Sequence, residues 1–138
     1  MDKKWILLLV LSSLLVSCSE FNTVLKSTDY EYKYKKGIEY FEAGDYTHAT
    51  TLFQDLVYAF RGTSKGDDLF DYYARSCYAQ QDYVLAGHYF NSICVQYPRS
   101  EFAENAKFMV GMCYFKDSPN PRIDQEISMK AIDAFQLY

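Results

Sequence analysis

The side chains of this chain that could take part in catalysis do not form a recognisable motif. Its two histidines, His48 and His88, stand outside any HExxH sequence and away from a nucleophile pattern. A metalloprotease helix or a hydrolytic triad would require such an arrangement. We therefore interpret both histidines as surface or packing residues.

Acidic residues and glycines give no stronger signal for chemistry. Asp45 and the pair Asp67 and Asp68 stand where helix caps and turns are expected, and this role is commoner for them than acid–base catalysis. The sequence contains no glycine-rich phosphate loop. We therefore predict a protein without enzymatic activity and without a cofactor.

Three internal cysteines, Cys77, Cys94 and Cys113, fall one to a predicted helix and form no CxxC pair. This spacing gives weak support for a zinc site. A free cysteine behaves as a small apolar residue, so we interpret all three as packing residues. A Cys77–Cys94 disulfide is the alternative in an oxidising compartment, and it would leave one thiol unpaired.

Composition indicates a domain with ample core material and no affinity for nucleic acid. Of the 138 residues, 49% are hydrophobic and 18% are aromatic, and the aromatics are mostly tyrosine. Tyrosine suits helices that pack on one side and meet water on the other. The net charge is −4, with no basic run beyond the first few residues. A nucleic-acid binder needs a cationic stripe.

The first residues indicate a secretion leader rather than part of the fold. Lys3 and Lys4 precede an apolar run over residues 5–16, which is far shorter than the roughly 20 residues that span a bilayer. Residues 15–18, Leu-Val-Ser-Cys, resemble a bacterial lipobox, in which the cysteine takes a diacylglycerol and becomes the mature amino terminus. We expect cleavage of residues 1–17 and a lipid on Cys18. The alternative is an ordinary secretory signal with a coincidental cysteine.

The expected anchor would hold a soluble domain on a membrane. Several acyl chains, palmitate among them, bind a bilayer stably because each buried CH₂ contributes roughly 0.8 kcal/mol. In some bacteria an acidic residue directly after the lipidated cysteine resembles an inner-membrane retention signal. Here that position is Ser19. The sequence therefore favours the periplasmic face of the outer membrane, with residues 18–28 as the lipidated cysteine and a tether.

An internal repeat organises the rest of the chain. Gly37, Ala74 and Gly111 are spaced by 37 residues, since 74−37 and 111−74 both equal 37. The same step separates two further pairs, Ala49 and Ala86, and Phe53 and Phe90. A period in this range is typical of stacked helical units, none of which buries its apolar face alone. The sequence predicts an all-α helical-hairpin solenoid over residues 29–138.

The turn signals divide this solenoid into about three hairpins, over residues 29–61, 67–98 and 100–138. A capping-box spacing at Thr28 predicts the start of the first helix, and Asp67 and Ser100 are the expected caps of later ones. Ala131 and Phe135 repeat the Ala-x₃-Phe pair, but 45 rather than 37 residues after Ala86 and Phe90, which predicts an eight-residue insertion. Because the last predicted helix, which is amphipathic, includes Tyr138, we expect the sequence to be the amino-terminal part of a longer protein.

The repeated residues resemble the tetratricopeptide repeat, which has Gly-x₂-Tyr on its first helix and Ala-x₃-Phe on its second. Pro98 falls where the closing proline of that repeat stands. Lys33 and Lys36 replace the usual large aromatic and leucine, as expected for a first unit that no earlier repeat covers. Lys107 makes the same departure in the third unit and weakens the register there.

The lipobox, short tether and long-period repeats together resemble the BamD family of outer-membrane assembly lipoproteins. Segments similar to that family are GDYTHA at 44–49, YPRSEFA at 97–103, RIDQ at 122–125 and KAIDAF at 130–135. The resemblance covers about residues 15–138, the front half of a typical member. It implies a scaffold that helps to insert barrel proteins, with a BamA-like barrel protein and unfolded outer membrane proteins as partners. The family's BamA contacts lie in later repeats, beyond residue 138.

A groove on the first helices is the binding surface that the repeat predicts. Relative to Gly37, Ala74 and Gly111, the positions −3, +1 and +4 share one helical face. These nine positions are Tyr34, Ile38, Phe41, Asp71, Arg75, Tyr78, Phe108, Met112 and Phe115. Aromatics and Met with one Arg suit an apolar peptide that bears a free carboxylate. The alternative for these nine residues is that they pack against the tether or against facing helices. The alternative for the protein's function is an envelope adaptor that tethers cell-wall enzymes.

Overall fold

The computed structural model describes residues 20–118 and 125–138, which fold as an all-α helical-hairpin solenoid. The six helices of the repeats are α1 (Tyr30–Glu42), α2 (Tyr46–Phe60), α3 (Gly66–Ala79), α4 (Tyr83–Gln96), α5 (Ala103–Asp117) and α6 (Glu126–Gln136). Each packs on the next one along the chain, so that three antiparallel hairpins stack side by side. The predicted fold class is confirmed.

The repeat spacing arises because a small residue on the first helix of a hairpin receives a phenylalanine from the second. A Cβ atom at Gly37 would lie 2.5 Å from Cε1 of Phe53, and one at Gly111 would lie 2.5 Å from Cε1 of Phe135. The Phe135 contact holds although the connection between α5 and α6, residues 118–125, is longer than the other two turns. The insertion therefore lengthens a turn and leaves the packing of the third hairpin intact.

Aspartates begin several of the helices, and they do so at the repeat step. The side chains of Asp45 and Asp82, which are 37 residues apart, accept hydrogen bonds from the backbone N–H groups of His48 (3.3 Å) and Leu85 (3.0 Å). The first helix begins where predicted, but its N-cap is Asp29 rather than Thr28. Each cap satisfies a backbone donor that lacks a partner within the helix.

Two predicted caps are wrong. Helix α3 begins at Gly66, one residue before Asp67, and has no side-chain cap. Helix α5 begins at Ala103 rather than beside Ser100, because residues 100–102 form a turn in which the Ser100 hydroxyl accepts from the Phe102 N–H at 3.2 Å. Ser100 therefore belongs to the turn that precedes its helix, whereas Asp67 lies within the first turn of α3.

The amino-terminal segment, residues 20–27, packs on the first hairpin. Residues 20–26 are helical, and Val24 is fully buried. The Phe21 ring contacts the rings of Tyr40 and His48, with centroids 5.8 Å and 4.1 Å away. The outer side of α1 is therefore covered by this segment, where the repeat alone predicts an open face.

Lys33 is buried, contrary to the uncovered position expected for it. Only 5% of its surface is exposed, and its ammonium group pairs with the Asp55 carboxylate of α2. The Asp55 side chain is 46% exposed, so water still reaches the pair. The lysine stem fills the space that an aromatic side chain occupies in the usual repeat.

Removing the charge of Asp55, the more exposed partner, should destabilise the fold more than removing that of Lys33, the buried partner. Asp55→Asn should destabilise the fold by about 1 kcal/mol, because it leaves the Lys33 ammonium without its counter-charge. Lys33→Met should be near neutral, since an apolar chain of similar length fills the same space. Urea unfolding of both variants checks the order, and a larger loss for Lys33→Met would contradict it.

Candidate peptide-binding groove

The first helices α1, α3 and α5 meet around a pocket of about 250 Å³, here named the groove pocket. Its lining comes from the end of α1, the start of α2, the last turns of α3 and the first half of α5: Phe41, Tyr46, Arg75, Tyr78, Ala79, Asn105 and Met109. The pocket thus lies on the face where the sequence predicts a groove. A larger cleft of about 340 Å³ lies elsewhere, between α4, α5 and α6.

The wall of the groove pocket is aromatic with one cation set into it. Phe41 and Tyr46 meet edge to face with centroids 5.6 Å apart. The guanidinium carbon of Arg75 lies 4.9 Å from the centroid of Phe41, which is within the range of a cation–π contact. Tyr78 in turn meets the ring of Tyr83 at 5.2 Å. These contacts fix the rings and the guanidinium before any ligand arrives.

Asp71 lies behind the pocket and holds Arg75 in place. Its Oδ2 accepts a hydrogen bond from Nη1 of Arg75, one helical turn further on, at 3.3 Å. Asp71 is 3% exposed, and its Oδ1 has no hydrogen-bond partner within the described residues. The Arg75 side chain stays half exposed. Because guanidinium carries five N–H donors, Arg75 retains donors for a ligand carboxylate.

The Asp71 carboxyl should give the domain a pH-dependent contribution to its stability. Burial, only partly offset by the nearby Arg75 guanidinium, raises the pKa of Asp71 above its ordinary value of 3.8. The folded state then binds this proton more tightly than the unfolded state. The contribution is therefore fully present below the ordinary pKa of aspartate and is lost as pH rises through the raised pKa.

Asp71→Asn should remove this contribution. We expect wild type to lose stability relative to the variant as pH rises from the ordinary aspartate pKa through the raised one, since only wild type then buries a charge. Urea unfolding of both proteins across that range measures the difference. Arg75→Gln, which removes the nearby cation, should steepen the trend. A difference that stays constant with pH would contradict the interpretation.

Three of the nine residues predicted for the groove meet in the pocket: Phe41, Arg75 and Tyr78. Tyr34 is 6% exposed and packs between Phe53 and Phe60, with its hydroxyl donating to the Asp68 carboxylate. Asp71 is buried as described, and Ile38 is partly buried against the core. None of these three side chains lines the groove pocket, and Asp71 contacts a residue that does, Arg75.

In the third hairpin the predicted face is rotated away from the pocket. Phe108 contacts the rings of Phe135 and Tyr138, at 5.7 Å and 5.5 Å, so it faces α6. Met112 and Phe115 do not line the groove pocket either, and Phe115 is 61% exposed. Asn105 and Met109 take these places instead. The departure at Lys107 was the sequence signal that the register changes in this unit.

His48 and the three cysteines take packing positions, whereas His88 is exposed on the surface of α4. His48 lies between Phe21 and Tyr40, and its Nδ1 is 2.6 Å from the Asp45 carboxylate. The alternative of a Cys77–Cys94 disulfide is not formed in the structure, because both thiols are free. The Cys94 sulfur instead lies 3.8 Å from the Ala103 carbonyl oxygen.

Within residues 20–118 and 125–138, no group of three histidine, cysteine or acidic side chains is placed to hold a metal ion. None of the helices described there is long and apolar enough to cross a membrane. The lipid site expected at Cys18 lies outside these residues and stays a prediction.

Residues 27–137 match the model of a protein family described as outer membrane lipoprotein, YfiO. The chain belongs to this family. The YfiO match begins after Cys18, so it is independent of the leader sequence. No curated protein matches the chain.

Membership of the YfiO family supports a role at the outer membrane. It agrees with the all-α solenoid and with the outer-membrane part of the predicted location. The match extends over all three hairpins, so the groove pocket is part of the family domain.

Proposed function

We propose that this protein is a BamD-like scaffold, without enzymatic activity, that helps to insert β-barrel proteins into the outer membrane. A lipid on Cys18 holds it on the periplasmic face. The observation that carries the proposal is the groove pocket, in which Phe41, Tyr78 and Arg75 form an aromatic surface with one cation, on a member of an outer membrane lipoprotein family.

The groove pocket binds an apolar, aromatic-ended segment of an unfolded barrel protein. Phe41, Tyr78 and Met109 contact its ring, and Arg75 pairs with a terminal carboxylate in fork geometry. Asp71 keeps the guanidinium oriented and so lowers the ordering cost of binding. The scaffold then transfers the segment to a BamA-like partner, and the anchor raises the effective concentration of both at the membrane.

Photo-crosslinking in cells tests the proposal directly. A crosslinking amino acid replaces Tyr78 in the groove pocket, or, as a matched control, Tyr58 of α2, which is 85% exposed and outside the pocket. Position 78 of the full-length protein should form adducts with unassembled barrel proteins or a BamA-like protein, and position 58 should not. Adducts only with cell-wall enzymes would refute assembly work and favour an envelope adaptor.

A binding measurement tests the role of Arg75. Arg75→Ala should weaken binding of a peptide that ends in phenylalanine carboxylate by roughly tenfold, since a hydrogen bond to a charged group is worth about 1.5–3 kcal/mol. The amidated peptide should bind wild type and variant alike. Equal losses for both peptides would contradict carboxylate recognition.

A further inference from the structure

The amino-terminal segment fixes where the chain enters the solenoid. The Glu20 carboxylate lies 3.5 Å from the Lys36 ammonium, and Phe21 packs on Tyr40 and His48. Tyr40 is near the end of α1, and His48 is near the start of α2. The first described residues therefore lie beside the turn that joins α1 to α2.

That turn belongs to one edge of the solenoid, here named the turn edge and made of residues 43–45 and 80–82. The side-chain amide of Gln80 donates to the Tyr46 carbonyl oxygen and to the Thr50 hydroxyl, each at 3.2 Å. These bonds join the turn of the first hairpin to that of the second. The two turns thus form a continuous surface.

The opposite edge, here named the loop edge, consists of residues 61–65 and 97–102. The Gly62 N–H donates to the Tyr97 hydroxyl at 2.7 Å and joins its two parts. Lys65 also pairs with Glu31 at the start of α1, at 2.6 Å. Helix α1 connects the two edges, and its 13 residues rise about 20 Å.

We infer that the turn edge faces the bilayer. Only Ser19 separates Cys18 from Glu20, so at most about 7 Å of extended chain joins the two Cα atoms. A lipid on Cys18, on which this inference rests as part of the proposed function, enters the membrane from that position. Because Glu20 and Phe21 are held against the first hairpin, the short connection orients the solenoid as well as anchoring it.

The anchor rather than charge holds the turn edge in this position. Glu42, Asp45 and Asp82 lie on or beside these two turns and make them acidic, so anionic headgroups do not attract them. High salt should therefore leave the orientation unchanged. The partner surface is the lipid headgroup layer, and two residues of the groove pocket, Phe41 and Tyr46, lie next to this edge.

Energy transfer to labelled headgroups measures the orientation. The full-length lipidated protein is reconstituted in vesicles of phosphatidylethanolamine and phosphatidylglycerol, with a fluorescent amino acid at position 42, 64 or 99. All three side chains are exposed, and only Glu42 lies at the turn edge. Transfer from position 42 should exceed that from 64 or 99 at least about twofold, because roughly 20 Å separates the edges. Equal transfer from all three positions would overturn the inference.

A flexible insertion between Ser19 and Glu20 provides the second measurement, because it leaves the packed segment unchanged. About ten glycine and serine residues there should remove the difference between positions 42 and 64, since such a linker behaves as a random coil. A difference that survives the insertion would contradict orientation by the short connection. Absence of lipid on Cys18 by mass spectrometry would overturn both the inference and the proposed anchor. Equal transfer from lipidated protein would leave the groove proposal standing.

Discussion

Replacing Phe53 by alanine should lower the free energy of unfolding by about 3–5 kcal/mol. Phe53 is fully buried, and its ring contacts those of Tyr34 and Tyr72 at 6.5 Å and 6.0 Å. It also fills the space above Gly37. The truncation therefore removes apolar area from the core and leaves a cavity where two hairpins join.

Urea unfolding of purified protein measures this loss, with Phe115→Ala as the matched control. Phe115 is 61% exposed, so its truncation should change the free energy of unfolding by no more than about 0.5 kcal/mol. Phe53→Leu, which keeps most of the volume, should fall between the two. Comparable losses for Phe53→Ala and Phe115→Ala would contradict the packing described.

Adding a single methyl group at Gly37 should destabilise the fold by about 1–3 kcal/mol. Glycine to alanine within a helix normally stabilises by up to about 1 kcal/mol, so the expected sign is reversed. The reversal arises because the new Cβ would lie 2.5 Å from Cε1 of Phe53, whose ring is enclosed on its other sides.

Gly87→Ala is the control, since a Cβ there comes only to 3.2 Å from the Cys113 Cβ and so requires a much smaller shift. Thermal melts of both variants should show the larger loss for Gly37→Ala, at roughly 4–8 °C per kcal/mol for a domain of this size. Combining Gly37→Ala with Phe53→Leu should cost less than the sum of the single losses. Strict additivity would show that the two residues do not meet.

The fold could be predicted because the repeat reflects steric contacts between residues that are close in sequence. Gly37 with Phe53 and Gly111 with Phe135 are residues whose sizes must match within one hairpin, so their spacing carries the architecture. Asp45 and Asp82 mark the turns for the same reason, since a helix start needs a side-chain acceptor. Such signals survive in a single sequence.

The cover on the first hairpin could not be predicted in the same way. Residues 20–26 lack the repeat pattern, and their signal is the spacing of two apolar residues, Phe21 and Val24. Lys33 is also buried, and its partner Asp55 is 22 positions away. An ammonium group at a core position can be explained only when its partner is seen.

The groove pocket was predictable in part in the first two hairpins and not in the third. Phe41, Arg75 and Tyr78 follow from the repeat register, whereas Asn105 and Met109 depend on how α5 is rotated against α3. That rotation is set by contacts across hairpins, such as those of Phe108 with α6, and a periodic pattern does not encode it. Asp71 shares the predicted face, but its burial behind Arg75 required the structure.

The buried thiols link the chemical lifetime of this protein to its folding. Burial raises the pKa of Cys77 and that of Cys113 to about 12, so neither forms the thiolate that oxidants and alkylating reagents attack. Both thiols become reactive only when the second or third hairpin opens. In an oxidising compartment these two thiols are protected in a folded molecule, while those of a chain that stays open acquire covalent damage. The extent of covalent damage at Cys77 and at Cys113 therefore reflects how long the second and the third hairpin have been open.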